Sequence, residues 1–274
     1  MPSTWSDEHA GFHPEIPNEA RVIDYLSGGK DNFAVDRELA EQALRITPDL
    51  RQIVMRSRRF LRRGVEALVA AGMRQFIDVG CGLPTQGSTH EILGEIAADH
   101  RLVCVDNDPV VAVHAASTFG IDGPARIVRA DARDPDALFE HPVIASTIRP
   151  DEPVGLIVHS VLAAIPEDDV AEHIVRRLVA RVPSGSLLLL SHAVSDRDPD
   201  ATGRLSELFQ TTKTIRGART RANLRSAAEV RELMRGLDLL PPGMVPLHRW
   251  RPGPDEAGAE SLSMSSIGGI GRKP

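Results

Sequence analysis

A short apolar run in the first third of the chain, Gln75–Gly82 (QFIDVGCG), ends in a glycine-rich turn. Its bulky and β-branched residues predict a strand buried on both faces of a parallel sheet. Gly80 and Gly82 allow a tight turn and let a ligand approach without meeting a Cβ. Residues 87–98 carry apolar side chains at helical spacing, so the turn is predicted to open onto a helix N-terminus. This order of elements is typical of sites that bind nucleotide-like ligands.

Two further apolar runs each end in an acidic residue, Asp106 and Asp131. Asp106 stands close to the offset of about 20 residues at which a carboxylate meets a ribose hydroxyl pair. Because the carboxyl ends of parallel strands share one edge of a sheet, these acids are predicted to lie near the glycine turn. We expect Asp106 to bind a ribose and Asp131 an adenine amino group, whereas Asp78 either fixes the turn or binds an amino group.

Two adenine-containing ligands compete for this pattern. A nicotinamide dinucleotide site needs a third glycine in G-x-G-x-x-G, but that position is Thr85, and Pro84 removes an N–H from the loop. S-adenosylmethionine (SAM) carries no phosphate, and it needs space beside the glycines, an acid for its ribose and an acceptor for its adenine. The sequence therefore favours SAM, with S-adenosylhomocysteine as the product.

Several blocks of the chain resemble the S-adenosyl methyltransferase family, which was long catalogued as a domain of unknown function. Together they extend over most of the chain. The blocks are residues 20–33 (ARVIDYLSGGKDNF), 77–85 (IDVGCGLPT), 105–109 (VDNDP), 130–135 (ADARDP), 225–226 (RS), 242–246 (PGMVP), 250–252 (WRP) and 269–273 (GIGRK).

The resemblance implies an α/β fold of three layers (αβα), the Rossmann-like class I methyltransferase fold. Its sheet would have seven mostly parallel strands with the last one antiparallel. Residues 1–72 would form an N-terminal helical cap and residues 73–274 the methyltransferase domain. The family often has an aromatic residue just before the terminal glycines, where this chain has Met264–Gly268, so the shape of the last strand is left open.

The same resemblance implies that the helical cap covers the cofactor, with Arg21 or Tyr25 facing its carboxylate or adenine end. The alternative is that Ser27–Lys30 is simply a flexible turn between helices. The predicted cofactor-binding residues are Arg21, Tyr25, Asp78, Gly80, Gly82, Asp106, Asn107, Asp131, Ala132 and His159.

Two histidines are candidates for a general base. His159 ends the predicted fourth strand and His192 follows the predicted fifth, Ser186–Ser191. At these strand ends either imidazole could take a proton from a methyl acceptor. The alternative is that both are simply hydrogen-bonded at strand ends. The sequence has no closely spaced His or Cys residues that would indicate a metal site.

Basic residues accumulate late in the chain, within residues 213–225. They could form a lid that receives an anionic acceptor, or a solvated loop that balances an acidic body. The residues are Lys213, Arg216, Arg219, Arg221 and Arg225.

Composition narrows the function classes. The formal net charge of −6 argues against a nucleic-acid-binding surface, and 42% hydrophobic content suits a globular core. No secretory pattern or membrane-spanning run is present, so we expect a cytoplasmic protein with reduced cysteines.

The predicted function is methyl transfer from SAM to an unidentified small-molecule acceptor by a monomer or homodimer. A SAM-binding sensor without methyl transfer and a NAD-dependent oxidoreductase remain as alternatives.

Overall fold

A computed structural model describes residues 14–209, 224–256 and 262–274. These residues form a single sheet of eight strands in the order β3-β2-β1-β4-β5-β8-β6, with β7 also paired to β8. The strands are β1 (Gln75–Val79), β2 (Arg101–Asp106), β3 (Ala125–Arg129), β4 (Gly155–His159), β5 (Leu187–Val194), β6 (Asp238–Leu239), β7 (Val245–Pro246) and β8 (Ser265–Arg272).

The first five strands are parallel and the last strand runs antiparallel to β5, as predicted. The prediction of seven strands differs by one, because the two-residue β7 adds a short pairing with β8. This chain lacks the aromatic residue that the family often has before the terminal glycines, but β8 still pairs with β5 along all eight of its residues.

Helices cover both faces of the sheet and complete the three layers. The helices are α1 (Glu19–Leu26), α2 (Ala34–Ile46), α3 (Leu50–Ala70), α4 (Thr89–Ile96), α5 (Pro109–Phe119), α6 (Pro135–Glu140), α7 (Pro142–Thr147), α8 (Asp168–Ala180), α9 (Pro199–Phe209) and α10 (Ala227–Glu232). Apolar residues of α3, α4 and α5 pack on one face, and those of α6, α7, α8 and α10 pack on the other. The class I α/β fold predicted from the sequence is therefore confirmed.

The N-terminal helices divide their packing between two neighbours. α3 lies against the sheet, where Gly64 approaches Leu189 so closely that an added Cβ would stand 2.1 Å from its Cδ1. α1 and α2 instead form a separate apolar cluster with the first turns of α3 and with residues of α9. The division into a cap (1–72) and a methyltransferase domain (73–274) stays a prediction. None of the helices in the described ranges is both long and apolar enough to span a lipid bilayer.

Two element boundaries differ from the prediction in ways that affect the site. α4 begins only at Thr89, capped by the Ser88 side chain, so the glycine turn does not open directly onto a helix N-terminus. The intervening residues include Pro84, which has no N–H to offer a helix. β5 runs on to Val194 because β8 pairs with it to the end, which places His192 inside the strand rather than after it.

Candidate functional site

A cavity of about 440 Å³ opens at the carboxyl edge of the sheet. It lies within the range of roughly 300–1,000 Å³ typical of small-molecule sites. The loops after β1, β2, β3 and β4 form its floor, while the start of α1 and one side of α3 form its roof. Residues at these positions include Asn18, Glu19, Ser57, Arg58, Gly80, Gly82, Asp106, Asn107, Asp131, Ala132, Arg133, His159 and Glu167.

The glycine turn is held against the end of β2. The N–H groups of Gly80 and Cys81 both donate to the carbonyl of Val105, over 2.8 and 3.2 Å. Gly80 has a φ of +74°, and a Cβ at that position would stand 2.3 Å from a methyl group of Val161. Glycine is therefore required at Gly80 both for its backbone conformation and for the approach of the neighbouring loop.

Asp106 organises the floor of the cavity. One carboxylate oxygen accepts from the N–H of Gly82 over 2.9 Å, and the other accepts from the N–H of Asp108 over 3.0 Å. Burial raises the pKa of the Asp106 carboxyl to about 6, although these N–H groups act to lower it. A carboxylate oxygen can accept more than one hydrogen bond, so Asp106 retains capacity for a ligand hydroxyl.

A second carboxyl group, Glu19, reaches the cavity from the first residue of α1. Burial, and then the neighbouring Asp106, raise its pKa to about 7. Asn18 fixes this helix start, because its side chain accepts from the N–H of Arg21 and donates to Asp108 over 2.5 Å. Sequence reasoning missed Glu19, and the signal available was the Asn-Glu pair at a helix start.

Asp131 and its neighbours form the far wall. The Asp131 carboxylate is paired with the Arg133 guanidinium at 2.5 Å, and it also accepts from the Arg133 backbone N–H. Ala132 and Asn107 also line the cavity, and their predicted contact with the cofactor stays a prediction. Any adenine partner at this wall would therefore meet the Asp131 carboxylate already oriented by an arginine.

Asp78 lies beneath the site rather than in its wall. Its side chain is buried within β1, between Cys104 of β2 and Ile157 of β4. Burial raises the pKa of Asp78 to about 6, with Thr89 and Arg58 acting in the opposite direction. Of the two predicted roles, this placement favours support of the turn.

His159 lies in the cavity wall with both ring nitrogens engaged. Nε2 lies 3.0 Å from the Ser57 hydroxyl and Nδ1 lies 2.7 Å from the Ser191 hydroxyl. The ring stacks on Phe60. Burial, together with the nearby Arg58 charge, lowers the pKa of His159 to about 3. The imidazole is therefore neutral at physiological pH, and it is a weak base.

His192 lies outside the cavity wall. Successive side chains of a strand point to opposite faces, so His192 turns away from the face on which Ser191 meets His159. Its Nε2 lies 3.1 Å from a guanidinium nitrogen of Arg225, and burial lowers its pKa to about 4. We predicted that His192 could take a proton from the methyl acceptor. In the structure its ring is buried outside the cavity and contacts Arg225.

Arg225 clamps the loop after β4. Its guanidinium donates to the carbonyls of Leu162, Ile165 and Glu167 over 2.8–3.1 Å and pairs with Asp168. The segment it holds lines the cavity. Neither the lid for an anionic acceptor nor the solvated loop holds for Arg225, because its side chain is buried and fully engaged. Lys213, Arg216, Arg219 and Arg221 lie outside the described residues.

Arg21 and Tyr25 do not line the cavity either. Arg21 is buried in an ion pair with Asp36 of α2 at 2.9 Å, and Tyr25 donates to Glu41 of α2 over 2.8 Å. Both sit on the side of α1 that packs against α2, so helical periodicity directs them away from the cavity while Glu19 and Ala20 face it. In place of the predicted cofactor contacts, the structure assigns these two side chains to helix packing.

The described part of the chain contains no group of three or more His, Cys, Asp or Glu side chains arranged to hold a metal ion. Its two cysteines are not disulfide-bonded. What the site offers is a cavity with glycine backbone, acidic oxygens and a guanidinium.

Comparison with known proteins identifies the protein family and, with it, the cofactor. A model of the S-adenosyl methyltransferase family matches residues 7–274. This chain belongs to the S-adenosyl methyltransferase family. SAM is accordingly its cofactor, and the class of reaction is methyl transfer. Comparison with functionally curated proteins yields no match.

Two crystal structures show the same architecture along nearly the whole chain. A DUF574 family protein from Streptomyces avermitilis is 33% identical, with a TM-score of 0.87 over 95% of this chain and 99% of that one. A candidate methyltransferase from Thermobifida fusca is 31% identical, with a TM-score of 0.85 over 99% of both chains. An O-methyltransferase family protein from Burkholderia thailandensis, 14% identical, shares the fold with a TM-score of 0.52 over 82% of this chain and 60% of that one.

The cavity of this methyltransferase fits SAM in size and in chemistry. Its volume suits a ligand of that size. Gly80 and Gly82 carry no side chain that would fill the cavity, and Asp106 lines it with carboxylate oxygens. These features occur along one continuous wall.

Proposed function

We propose that this protein transfers the methyl group of SAM to a small-molecule acceptor inside the cavity. The observation that carries the proposal is that Gly80, Gly82, Asp106 and Asp131 line one cavity together with His159. In this arrangement the two glycines would face the methionine part, Asp106 the ribose and Asp131 the adenine. Asn107 and Ala132 would complete the wall around the nucleoside.

When bound, SAM supplies an activated methyl group on a sulfonium centre. The protein's contribution is to hold the acceptor in line with that methyl group and to keep water away, and positioning of this kind can contribute several kcal/mol. Ser57 and His159 lie at the wall where such an acceptor would enter. The neutral His159 would orient the Ser57 hydroxyl. That hydroxyl could then form a hydrogen bond with the methyl-accepting molecule, as donor or as acceptor.

Part of the cavity lining is apolar. Ile23 and Val54 contribute from the N-terminal helices, while Val161, Ala164 and Val170 contribute from the other side. We therefore propose an acceptor with an apolar body that fits beside the cofactor. The earlier expectation of an anionic acceptor depended on residues 213–225, of which Arg225 is committed to the loop after β4.

A calorimetric titration with SAM, S-adenosylhomocysteine and NAD tests the cofactor assignment. We expect micromolar binding of the two sulfur ligands and none of NAD. A small-molecule acceptor screen with radiolabelled SAM then tests transfer. SAM binding without transfer to any acceptor would support the sensor alternative, and a preference for NAD would overturn the proposal.

A further inference from the structure

Arg58 occupies the cavity wall beside the glycine turn. It projects from α3, and its Cβ and Cδ lie 3.8 Å from the position that a Cβ on Gly87 would take. It also lies close enough to Cys81 and His159 to interact electrostatically with both side chains. Arg58 thus faces the methionine end of the proposed site.

The Arg58 guanidinium has no hydrogen-bond or ion-pair partner among the described residues. Its Nε is buried and unpartnered. Other arginines near the site are engaged, since Arg133 pairs with Asp131, and Arg225 binds the loop after β4. A half-buried guanidinium that lines a cavity with its Nε shielded from water and unpartnered is a candidate ligand-binding group.

The surrounding carboxylates do not supply the partner that the Arg58 guanidinium lacks among the described residues. Asp78, Asp24 and Glu91 attract Arg58 electrostatically, but none forms an ion pair with it in the described structure. Asp24 accepts instead from Asp31 and Asn32, over 2.8 Å in both cases. Burial remains the largest influence on the Arg58 pKa, and it lowers that pKa. The guanidinium therefore retains donors for an external anion.

We propose that Arg58 binds the α-carboxylate of the methionine part of SAM. The inference rests on the proposed function and adds the orientation of the cofactor. Glu19 adjoins Asp106, whereas Arg58 lies on α3 near Cys81 and His159. A carboxylate held at Arg58 and a ribose held at Asp106 place the sulfonium between them, near Ser57 and His159.

The test compares two ligands that differ in the amino-acid part. S-adenosylhomocysteine carries the carboxylate, whereas 5′-methylthioadenosine keeps the nucleoside and sulfur but lacks it. Arg58→Met should weaken S-adenosylhomocysteine binding about 10- to 100-fold, the value expected for a lost charge-assisted hydrogen bond. Binding of 5′-methylthioadenosine should change by less than about threefold. Calorimetry measures both.

A neighbouring variant controls for charge alone. Arg59→Met removes an arginine whose side chain is 63% exposed on the same helix, and it should leave both affinities unchanged. Arg58→Lys should retain part of the binding, since it keeps the charge without the planar guanidinium. Thermal unfolding of each variant checks folding.

The outcomes separate this inference from the proposed function. If the wild type binds neither ligand, the cofactor assignment itself fails. If the wild type binds both and Arg58→Met weakens them equally or not at all, the carboxylate role is overturned while the function stands. If Arg58→Met does not fold, the same ligand comparison in Arg58→Lys decides, and equal effects on both ligands overturn the role.

Discussion

The carboxylate of Asp106 accepts a hydrogen bond from the backbone N–H of Gly82 over 2.9 Å. The acid that we assign to the ribose therefore also fixes the glycine turn that we assign to the methionine part. Ligand binding and loop geometry depend on the same side chain. Substitutions at this position should consequently affect both halves of the cofactor.

Asp106→Ala should weaken SAM binding by about 10- to 100-fold, because it removes both the ribose acceptor and the anchor of the turn. Calorimetric titration measures the change. Asp122→Ala, at an exposed position, serves as the control and should bind SAM like the wild type. An unchanged affinity in folded Asp106→Ala would refute the ribose assignment.

Gly80→Ala should abolish measurable SAM binding. The substitution combines a positive φ with a Cβ placed 2.3 Å from Val161, so the turn or the loop after β4 must shift. Gly120→Ala is a matched control, since Gly120 also has a positive φ (+70°) but open space around its Cβ position. Both variants should lose on the order of 1–3 kcal/mol through the backbone, and only Gly80→Ala should lose the ligand.

Stability of the ligand-free protein should depend on pH through Glu19. Its pKa of about 7 in the folded protein lies above the ordinary value of 4.5. The stabilising contribution of the bound proton is complete below the unfolded-state pKa and is lost as pH rises through about 7. Glu19→Gln should therefore be more stable than the wild type at pH 8, by on the order of 1–3 kcal/mol, and nearly equal at pH 4.

Urea unfolding at several pH values measures this difference. Glu140→Gln, at an exposed position on α6, is the control for replacing a glutamate by glutamine. A gap between Glu19→Gln and the wild type that stays constant from pH 5 to 8 would contradict the raised pKa.

Both buried histidines should stay neutral between pH 5 and 8. Burial places the pKa of His159 at about 3 and that of His192 at about 4. In proton–carbon NMR spectra their ring signals should not move over this range, and the variants His159→Gln and His192→Gln assign the signals. A His159 signal that titrates near pH 6 to 7 would restore a general-base role.

Arg225→Met should destabilise the protein by about 2–4 kcal/mol, because three carbonyl groups lose their hydrogen bonds to a buried charged donor. The loss arises because carbonyls of residues 162–167 and the Asp168 carboxylate lose their donor. Arg235→Met removes an exposed arginine paired with Glu232 and should change stability by less than about 1 kcal/mol. Denaturant unfolding compares the two, and equal stability would refute the clamp.

Local patterns in the sequence determined the order of strands and helices, the glycine turn and the acids at the ends of β2 and β3. These features depend on side-chain type and on periodicity over a few residues, which the sequence displays directly. The family resemblance further predicted the three layers and the antiparallel last strand. The position of Asp106 beside Gly82 follows from the shared edge of parallel strands.

Only the tertiary structure decided which polar side chains enter the cavity. Arg21 and Glu19 stand two residues apart on α1, yet packing against α2 turns Arg21 to Asp36 and leaves Glu19 beside Asp106. The extent of β5 likewise depends on its pairing with β8. This pairing places His192 inside the strand, where its side chain contacts Arg225. Such outcomes depend on contacts between residues far apart in the chain, and no local pattern encodes them.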